Sequence, residues 1–119
     1  MKIAVTSKGT DLDSQVDPRF GRAAYILIVD TLSLEVEVLN NSENVNAFRG
    51  AGIQAAAMVS DKGAEVLLTG FCGPSAFKTL EAAGVKVAID VSGTVRDAVK
   101  TFNEGKVPFA DGANVEGQS

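Results

Sequence analysis

Apolar residues along the chain form five short runs, which predict five β-strands. The runs cover residues 2–6, 24–30, 34–39, 65–69 and 85–89. The second run is almost continuously apolar, which is typical of a strand buried on both faces. The third alternates apolar and polar residues, as an edge strand with one solvated face does. These patterns predict a sheet that has the second strand inside and the third at an edge.

Helical spacing of apolar residues predicts three helices in the second half of the chain. The first covers roughly residues 51–62, with an apolar stripe of Ile53, Ala56, Ala57 and Val59, and ends at Gly63. The second begins at Pro74, where a first helical turn tolerates proline, and the third begins after Gly93 or Thr94. We expect a single domain over residues 1–106 and a mobile or loosely packed tail over 107–119.

The element order β-β-β-α-β-α-β-α predicts the sheet topology. Strands joined without helices form an antiparallel meander, whereas β-α-β units require parallel pairing with right-handed crossovers. The simplest result is an α/β, ribonuclease-H-like, three-layer fold. Its mixed five-stranded sheet has the order 3-2-1-4-5, with strand 2 antiparallel and helices on both faces.

This topology brings three glycine-bearing loops to one edge of the sheet, which we call the strand-top edge. The loops span residues 7–22, 49–52 and 69–74. Strands 2 and 4 lie on opposite sides of strand 1, so the edge contains a topological switch point, where open α/β sheets bind ligands.

The residues in these loops favour an anionic ligand. Three of the four arginines lie there, and two helices begin there with free amides and a positive dipole end. Phe20, Phe71 and Ile53 would add an apolar wall, and Cys72 is the residue that could contact a metal. The candidate site residues are Ser7, Arg19, Phe20, Arg22, Arg49, Gly50, Ala51, Gly52, Gly70, Phe71, Cys72 and Gly73.

Each candidate also has a purely structural interpretation. Arg19 and Arg22 could pair with Asp11, Asp13 or Asp17 and hold the loop. Phe20 could anchor the loop in the core, and the glycines could serve only as turn residues. A cysteine beside a helix start can have a lowered thiol pKa, but a lone cysteine is more often a small buried residue.

Composition excludes several classes of protein. The chain has 119 residues, a net charge of −4, no histidine and one cysteine. Histidine-based triads, histidine zinc sites and an internal disulfide are therefore excluded. The negative charge argues against nucleic acid as a partner, and no apolar run is long enough to span a membrane. One cysteine fits a reducing cytosol, so we expect a cytoplasmic protein.

Carboxylate placement argues against nuclease activity, the obvious hypothesis for this fold. Two-metal phosphoryl chemistry needs several carboxylates close together on the central strands. The first strand has none, and the topology puts Asp30 and Asp90 at opposite edges. We therefore expect a binding protein without catalytic residues.

Several segments together resemble the dinitrogenase iron–molybdenum cofactor biosynthesis family, which includes proteins of the NifX and NifB C-terminal type. They are residues 1–7, Asp17-Pro18-Arg19-Phe20-Gly21-Arg22, Gly50-Ala51-Gly52, Thr69-Gly70 to Gly73-Pro74, and 82–87. The resemblance covers about residues 1–106 and is greatest to the short stand-alone type, the orange proteins of sulfate reducers. It implies a ribonuclease-H-like fold and a carrier of metal–sulfur clusters.

The resemblance also implies the nature of the bound group. A molybdenum–copper sulfide cluster held without covalent protein ligands suits a chain with no histidine and one cysteine. Iron–molybdenum cofactor or a precursor is the alternative, and a protein donor or acceptor is expected. Two other functions are compatible with the residues, namely a regulatory protein that acts through its surface and a small oxyanion-binding domain.

Overall fold

The computed structural model describes residues 1–41 and 50–112, in an alternation of strands and helices close to the predicted one. Residues 42–49 and 113–119, including Arg49, lie outside the described residues. The strands are β1 (Lys2–Ser7), β2 (Tyr25–Asp30), β3 (Val36–Asn40), β4 (Val66–Leu68) and β5 (Lys86–Ala88). The helices in the described residues are α1 (Ala51–Asp61), α2 (Pro74–Ala82) and α3 (Val95–Asn103).

The strands form one mixed sheet in the order β3-β2-β1-β4-β5, which confirms the predicted topology. β2 is antiparallel to both β1 and β3, with Val5 opposite Leu27 in the first pair and Leu27 opposite Val38 in the second. β4 is parallel to β1 and to β5. The C-terminal end of β3 and the loops after β1, β4 and β5 therefore lie at the strand-top edge, as predicted.

Helices cover both faces of the sheet, and the sheet separates the core into two apolar clusters. On one face α1 and α2 pack on alternate residues of the central strands, including Ala4, Ile26 and Leu67. On the other face α3 packs on Ile3, Val5 and their neighbours. Since the residues of β1 and β2 alternate between two apolar layers, both strands read as almost continuous hydrophobic runs.

Two elements differ from the sequence prediction. β3 begins at Val36 rather than Leu34, because Leu34 adopts a left-handed conformation (φ 62°) and donates its N–H to Asp30 in a tight turn. Ile53 and Ala57 of the predicted apolar stripe of α1 are exposed. The buried face consists of small residues, which allow α1 to pack closely on α2; it contains Ala51, Gly52, Ala55, Ala56 and Val59.

Residues 107–112, the described part of the predicted tail, include a short segment beside β5. Ile89 donates to the carbonyl of Pro108 over 3.2 Å, and Ala110 donates to Val87 over 2.8 Å. Phe109 bridges Ala88 in antiparallel fashion and is half exposed. The segment extends the sheet by a few residues, while the boundary between domain and tail at residue 106 stays a prediction.

In the described part of the chain, no helix combines the length and the apolar character that crossing a membrane would require.

Candidate functional site

The loop after β1 meets the loops after β4 and β5 at the strand-top edge through backbone hydrogen bonds. The loop after β1 folds back on its own strand, with Ser7 bridging Val16, and then reaches its neighbours. Val16 donates to Gly93 over 2.9 Å, and Val95 at the start of α3 donates to Ser14 over 2.9 Å. The long loop is therefore tied to the loop after β5 and is a structured part of the edge.

A second set of backbone contacts joins the loop after β1 to the loop after β4. Phe71 donates its N–H to the carbonyl of Pro18 over 2.6 Å, and Phe20 donates to the carbonyl of Phe71 over 3.2 Å. These bonds pair Arg19 with Phe71 in a parallel bridge. Side chains opposite each other in such a bridge lie on the same side. Arg19 and Phe71 are therefore neighbours, and both are exposed.

Gly70 permits this pairing because its backbone lies directly against Pro18. A Cβ atom at position 70 would stand 2.7 Å from both the Cα and the carbonyl oxygen of Pro18. The glycine is thus required by the close approach of two loops, a structural role different from the turn that the sequence suggested for it.

The arginines at the edge differ in their surroundings. Arg19 Nε lies 3.6 Å from Asp17 Oδ1, and the Arg19 side chain is 62% exposed while that of Asp17 is 4% exposed. This contact is one of the ion pairs that the sequence allowed. Arg22 is half-buried and has interaction partners within the protein. Arg19 therefore keeps most of its surface available to a ligand.

Two helix N-termini at the edge have no side-chain cap. Gly50 is the N-cap of α1 (φ 75°, left-handed) and Gly73 that of α2, and neither helix has an acidic residue in its first turn. By contrast, α3 is capped by Thr94, whose hydroxyl accepts from Asp97 N–H over 3.1 Å, and Asp97 is an acid in its first turn. Within the described residues, no acid in the first turn offsets the positive dipole ends of α1 and α2.

Exposed apolar groups accompany these donors. Phe71 is 43% exposed, and Ile53, in the first turn of α1, is 45% exposed. In the described part of the chain, no heavy atom lies within 4 Å of the position that a Cβ at Gly50 would take. Backbone amides, a guanidinium and apolar side chains are therefore all presented at the edge.

Several predicted site residues lie beneath this surface instead. Phe20 is completely buried among the side chains of the α1–α2 face, so it anchors the loop and forms no exposed wall. Ser7 is buried, and its hydroxyl donates to the carbonyl of Gly9 over 2.8 Å. Ala51 and Gly52 are buried through their packing in α1. Ser7, Ala51 and Gly52 could therefore take part in binding only through their backbone atoms.

Cys72 is also buried, and its surroundings keep the thiol protonated. Its Sγ lies 3.8 Å from the carbonyl oxygen of Gly73, and the side chain is part of the apolar cluster under α1 and α2. Burial raises the pKa of Cys72 from 9.0 to about 12. Desolvation outweighs the nearby helix start, so the structure supports the interpretation of Cys72 as a buried residue rather than a reactive thiolate.

We expect native Cys72 to react with iodoacetamide at pH 8 about a hundredfold more slowly than in the unfolded chain, since the thiolate is the nucleophile. Mass spectrometry of quenched samples with and without urea measures both rates. Equal rates in the two samples would contradict the buried thiol.

The same shift predicts a pH dependence of stability. A pKa raised on folding favours the protonated native state, so its contribution is complete below pH 9 and is lost as pH rises from 9 to about 12. The wild type should therefore lose more free energy of unfolding over this range than Cys72→Ala. Urea titrations of both proteins at matched pH give the difference.

Sequence analysis missed a group of buried polar residues that join the loops. The hydroxyl of Thr6 donates to the carbonyl of Asp17 over 2.6 Å and is hydrogen-bonded to the hydroxyl of Thr69 at 2.9 Å. The amide of Asn41 donates to the carbonyls of Gly21 and Ala23 over 3.2 and 2.8 Å. Polar residues at the ends of apolar strands were the available signal, since buried polar groups require partners.

The acidic residues do not assemble into a metal centre in the described residues, where no group of three or more Asp, Glu, Cys or His side chains could hold an ion. Asp30 ends β2 opposite Lys2, whereas Asp90 donates its N–H to Gly70 at the strand-top edge. Asp30 Oδ1 accepts from the N–H groups of Ser33 and Leu32, which lowers the pKa of Asp30.

Comparisons with known proteins agree with this architecture. A profile of the family described as "dinitrogenase iron-molybdenum cofactor" matches residues 1–105. The apo orange protein from Desulfovibrio gigas superposes with a TM-score of 0.93 at 49% identity, over 96% of each chain. A candidate NifB protein from Thermotoga, assigned to the DUF35 family, superposes with a TM-score of 0.78 at 41% identity, over 91% of each chain.

A candidate dinitrogenase from Methanocaldococcus jannaschii shares the fold, with a TM-score of 0.69 at 17% identity over 94% of this chain and 96% of its own. A comparison with curated protein sequences gives no significant match.

Proposed function

Because the chain belongs to the dinitrogenase iron–molybdenum cofactor family, we propose that it is a carrier of an anionic, molybdenum-containing metal–sulfur cluster. The cluster is cargo, bound at the strand-top edge and passed on without chemical change. We propose a molybdenum–copper sulfide cluster, with iron–molybdenum cofactor or a precursor as the alternative. A protein that delivers or receives the cluster completes this function.

The observation that supports this proposal most directly is the pair of uncapped N-termini of α1 and α2 at the edge where Arg19 is exposed. Amide donors and a guanidinium attract an anion from several directions. A sulfide-rich cluster has a polarisable, weakly hydrated surface, and the exposed Phe71 and Ile53 suit it better than they suit a small hydrated oxyanion. The 49% identity to an orange protein whose structure is that of an apo form supports a carrier role.

Binding should be mainly non-covalent. With the pKa of Cys72 near 12 and its side chain buried, the thiolate needed for a metal–sulfur bond is disfavoured in this conformation. We propose that Arg19, Arg22 and Arg49 supply positive charge, and that the backbone near Gly50–Gly52 and Gly73–Ser75 supplies hydrogen bonds. Gly70 and Pro18 hold the two loops in position.

Reconstitution tests the function. Purified protein incubated with tetrathiomolybdate and a copper salt should develop a visible charge-transfer band that elutes with the protein and contains molybdenum and copper by elemental analysis. Cys72→Ser should retain at least half of the bound metal, because the thiol is not the main ligand.

Two outcomes would contradict the proposal. If neither wild type nor Cys72→Ser retains any cluster, the chain does not carry this cargo. If Cys72→Ser alone loses the cluster while remaining folded, binding is covalent and the proposed site chemistry is wrong. Thermal stabilisation by phosphate or nucleotides, without cluster binding, would identify a small-oxyanion domain instead.

A further inference from the structure

Asp17 is the one buried charged residue among those that the structure describes. Its backbone is held on both sides by Thr6, since its N–H donates to the Thr6 carbonyl over 2.9 Å and its own carbonyl accepts from the Thr6 hydroxyl. The carboxylate Oδ1 accepts from the N–H of Arg19 over 3.1 Å and also faces the Arg19 Nε. A fixed negative charge therefore lies directly behind the exposed guanidinium of the strand-top edge.

This placement is unexpected for a site that binds an anion. A buried carboxylate costs free energy unless it is well paired, and the 3.6 Å contact with Arg19 is a loose one. Turn formation alone does not require the charge, because serine or asparagine can accept the same N–H at this position. The carboxylate lies 3.6 Å from the Arg19 Nε, close enough to offset part of the positive potential of this guanidinium.

We infer that Asp17 is a positioning and charge-tuning residue that weakens the hold of the strand-top site on its anionic cargo, so that the cargo can be released. The inference rests on the proposed function. Asp17 holds Arg19 at the Nε atom and so orients the Arg19 guanidinium toward the ligand. The negative charge of Asp17 repels the same ligand. A carrier gains from this balance, because a site with uncompensated positive charge would bind an anion tightly and release it slowly.

Asp13, in the same loop as Asp17, provides a matched control through its pair with Arg96 of α3. Asp13 Oδ1 accepts from Arg96 Nε over 3.0 Å, so this pair also consists of an aspartate and an arginine. Its side chains are 76% and 52% exposed, whereas Asp17 is buried. The charge of Asp13 is screened by water and pairs with an arginine at α3 rather than at the proposed site.

The test compares Asp17→Asn with Asp13→Asn, using tetrathiomolybdate with copper as the probe. Both variants change the net charge equally. We expect Asp17→Asn to bind the probe roughly three- to tenfold more tightly and to release it correspondingly more slowly to a chelator, because the removed charge is shielded from water. Asp13→Asn should change affinity less than about twofold. Arg19→Gln should weaken binding, whereas Arg96→Gln should not.

The direction in which the affinity of Asp17→Asn changes separates charge tuning from a merely structural role. Disruption of the loop would weaken binding of the probe, whereas charge tuning predicts tighter binding. Weaker or unchanged binding by Asp17→Asn, or an equal gain in Asp13→Asn, would overturn the inference. If Asp17→Asn fails to fold in a urea titration, Asp17→Ser keeps the turn acceptor and is judged by the same outcomes. Failure of the wild type to bind would remove the proposed function as well, whereas wild-type binding with no gain in the variants would remove this inference alone.

Discussion

Replacement of Phe20 by alanine is expected to lower the free energy of unfolding by about 4 kcal/mol, because it removes a large aromatic side chain from a fully enclosed position. Phe20 has no exposed surface and packs among the residues of the α1–α2 face. A urea titration followed by circular dichroism measures the loss. A change of less than about 1 kcal/mol would contradict the buried placement of this side chain.

Phe71 is the matched control, since it is the same residue type in the paired loop. Its side chain is 43% exposed, and we propose that it contacts the cargo. Phe71→Ala should cost less than about 1 kcal/mol in stability and should weaken binding of the tetrathiomolybdate–copper probe. Phe20→Ala is thus expected to affect mainly stability, and Phe71→Ala mainly probe binding. If both variants lose stability equally, the assignment of Phe71 to the ligand surface is wrong.

Replacement of Gly70 by alanine is expected to cost about 3 kcal/mol, because the new methyl group collides with backbone rather than with a movable side chain. The Cα and carbonyl oxygen of Pro18 would both lie 2.7 Å from it. Relief requires the two loops to separate, which breaks the hydrogen bonds between Phe71 and Pro18 and between Phe20 and Phe71. We therefore expect this variant to lose probe binding as well as stability.

Gly112 is the control for this substitution. A Cβ at Gly112 meets no heavy atom of residues 1–41 and 50–112 within 4 Å, so Gly112→Ala should leave stability and binding unchanged within about 0.5 kcal/mol. Both variants can be titrated with urea and then with the probe under identical conditions. Normal stability of Gly70→Ala would show that the loops at the strand-top edge are not in the close contact described.

Much of the fold could be predicted because it depends on local patterns and general connection rules. Strand and helix positions follow from apolar periodicity, and the handedness of β-α-β units restricts the sheet to very few orders. The errors came where a local conformation competed with the pattern. Leu34 continues the alternation of β3 but adopts a left-handed turn, and Ile53 is apolar but lies on the exposed side of a helix that packs through small residues.

The convergence of the candidate loops at one edge could be predicted from the sequence. Which of their side chains are exposed there could not. Topology alone brings the glycine-bearing loops to one edge. Which side chains reach the surface there depends on the pairing of residues 18–20 with 70–71, a contact between segments about 50 residues apart along the chain. No local signal distinguishes the buried Phe20 from the exposed Phe71, or the buried Asp17 from the exposed Asp13.

The sequence by itself determined the sheet order and the place of the switch point, because periodicity and connection rules are properties of the chain. The family followed from the motifs that the chain shares with it, and an anionic cargo stays a prediction from the composition of the loops. Only the tertiary structure decided that Cys72 is a buried thiol, that Phe20 supports the loop from below, and that a buried carboxylate lies behind Arg19. Burial and charge compensation arise from contacts between distant segments, and those contacts exist only once the three loops have come together.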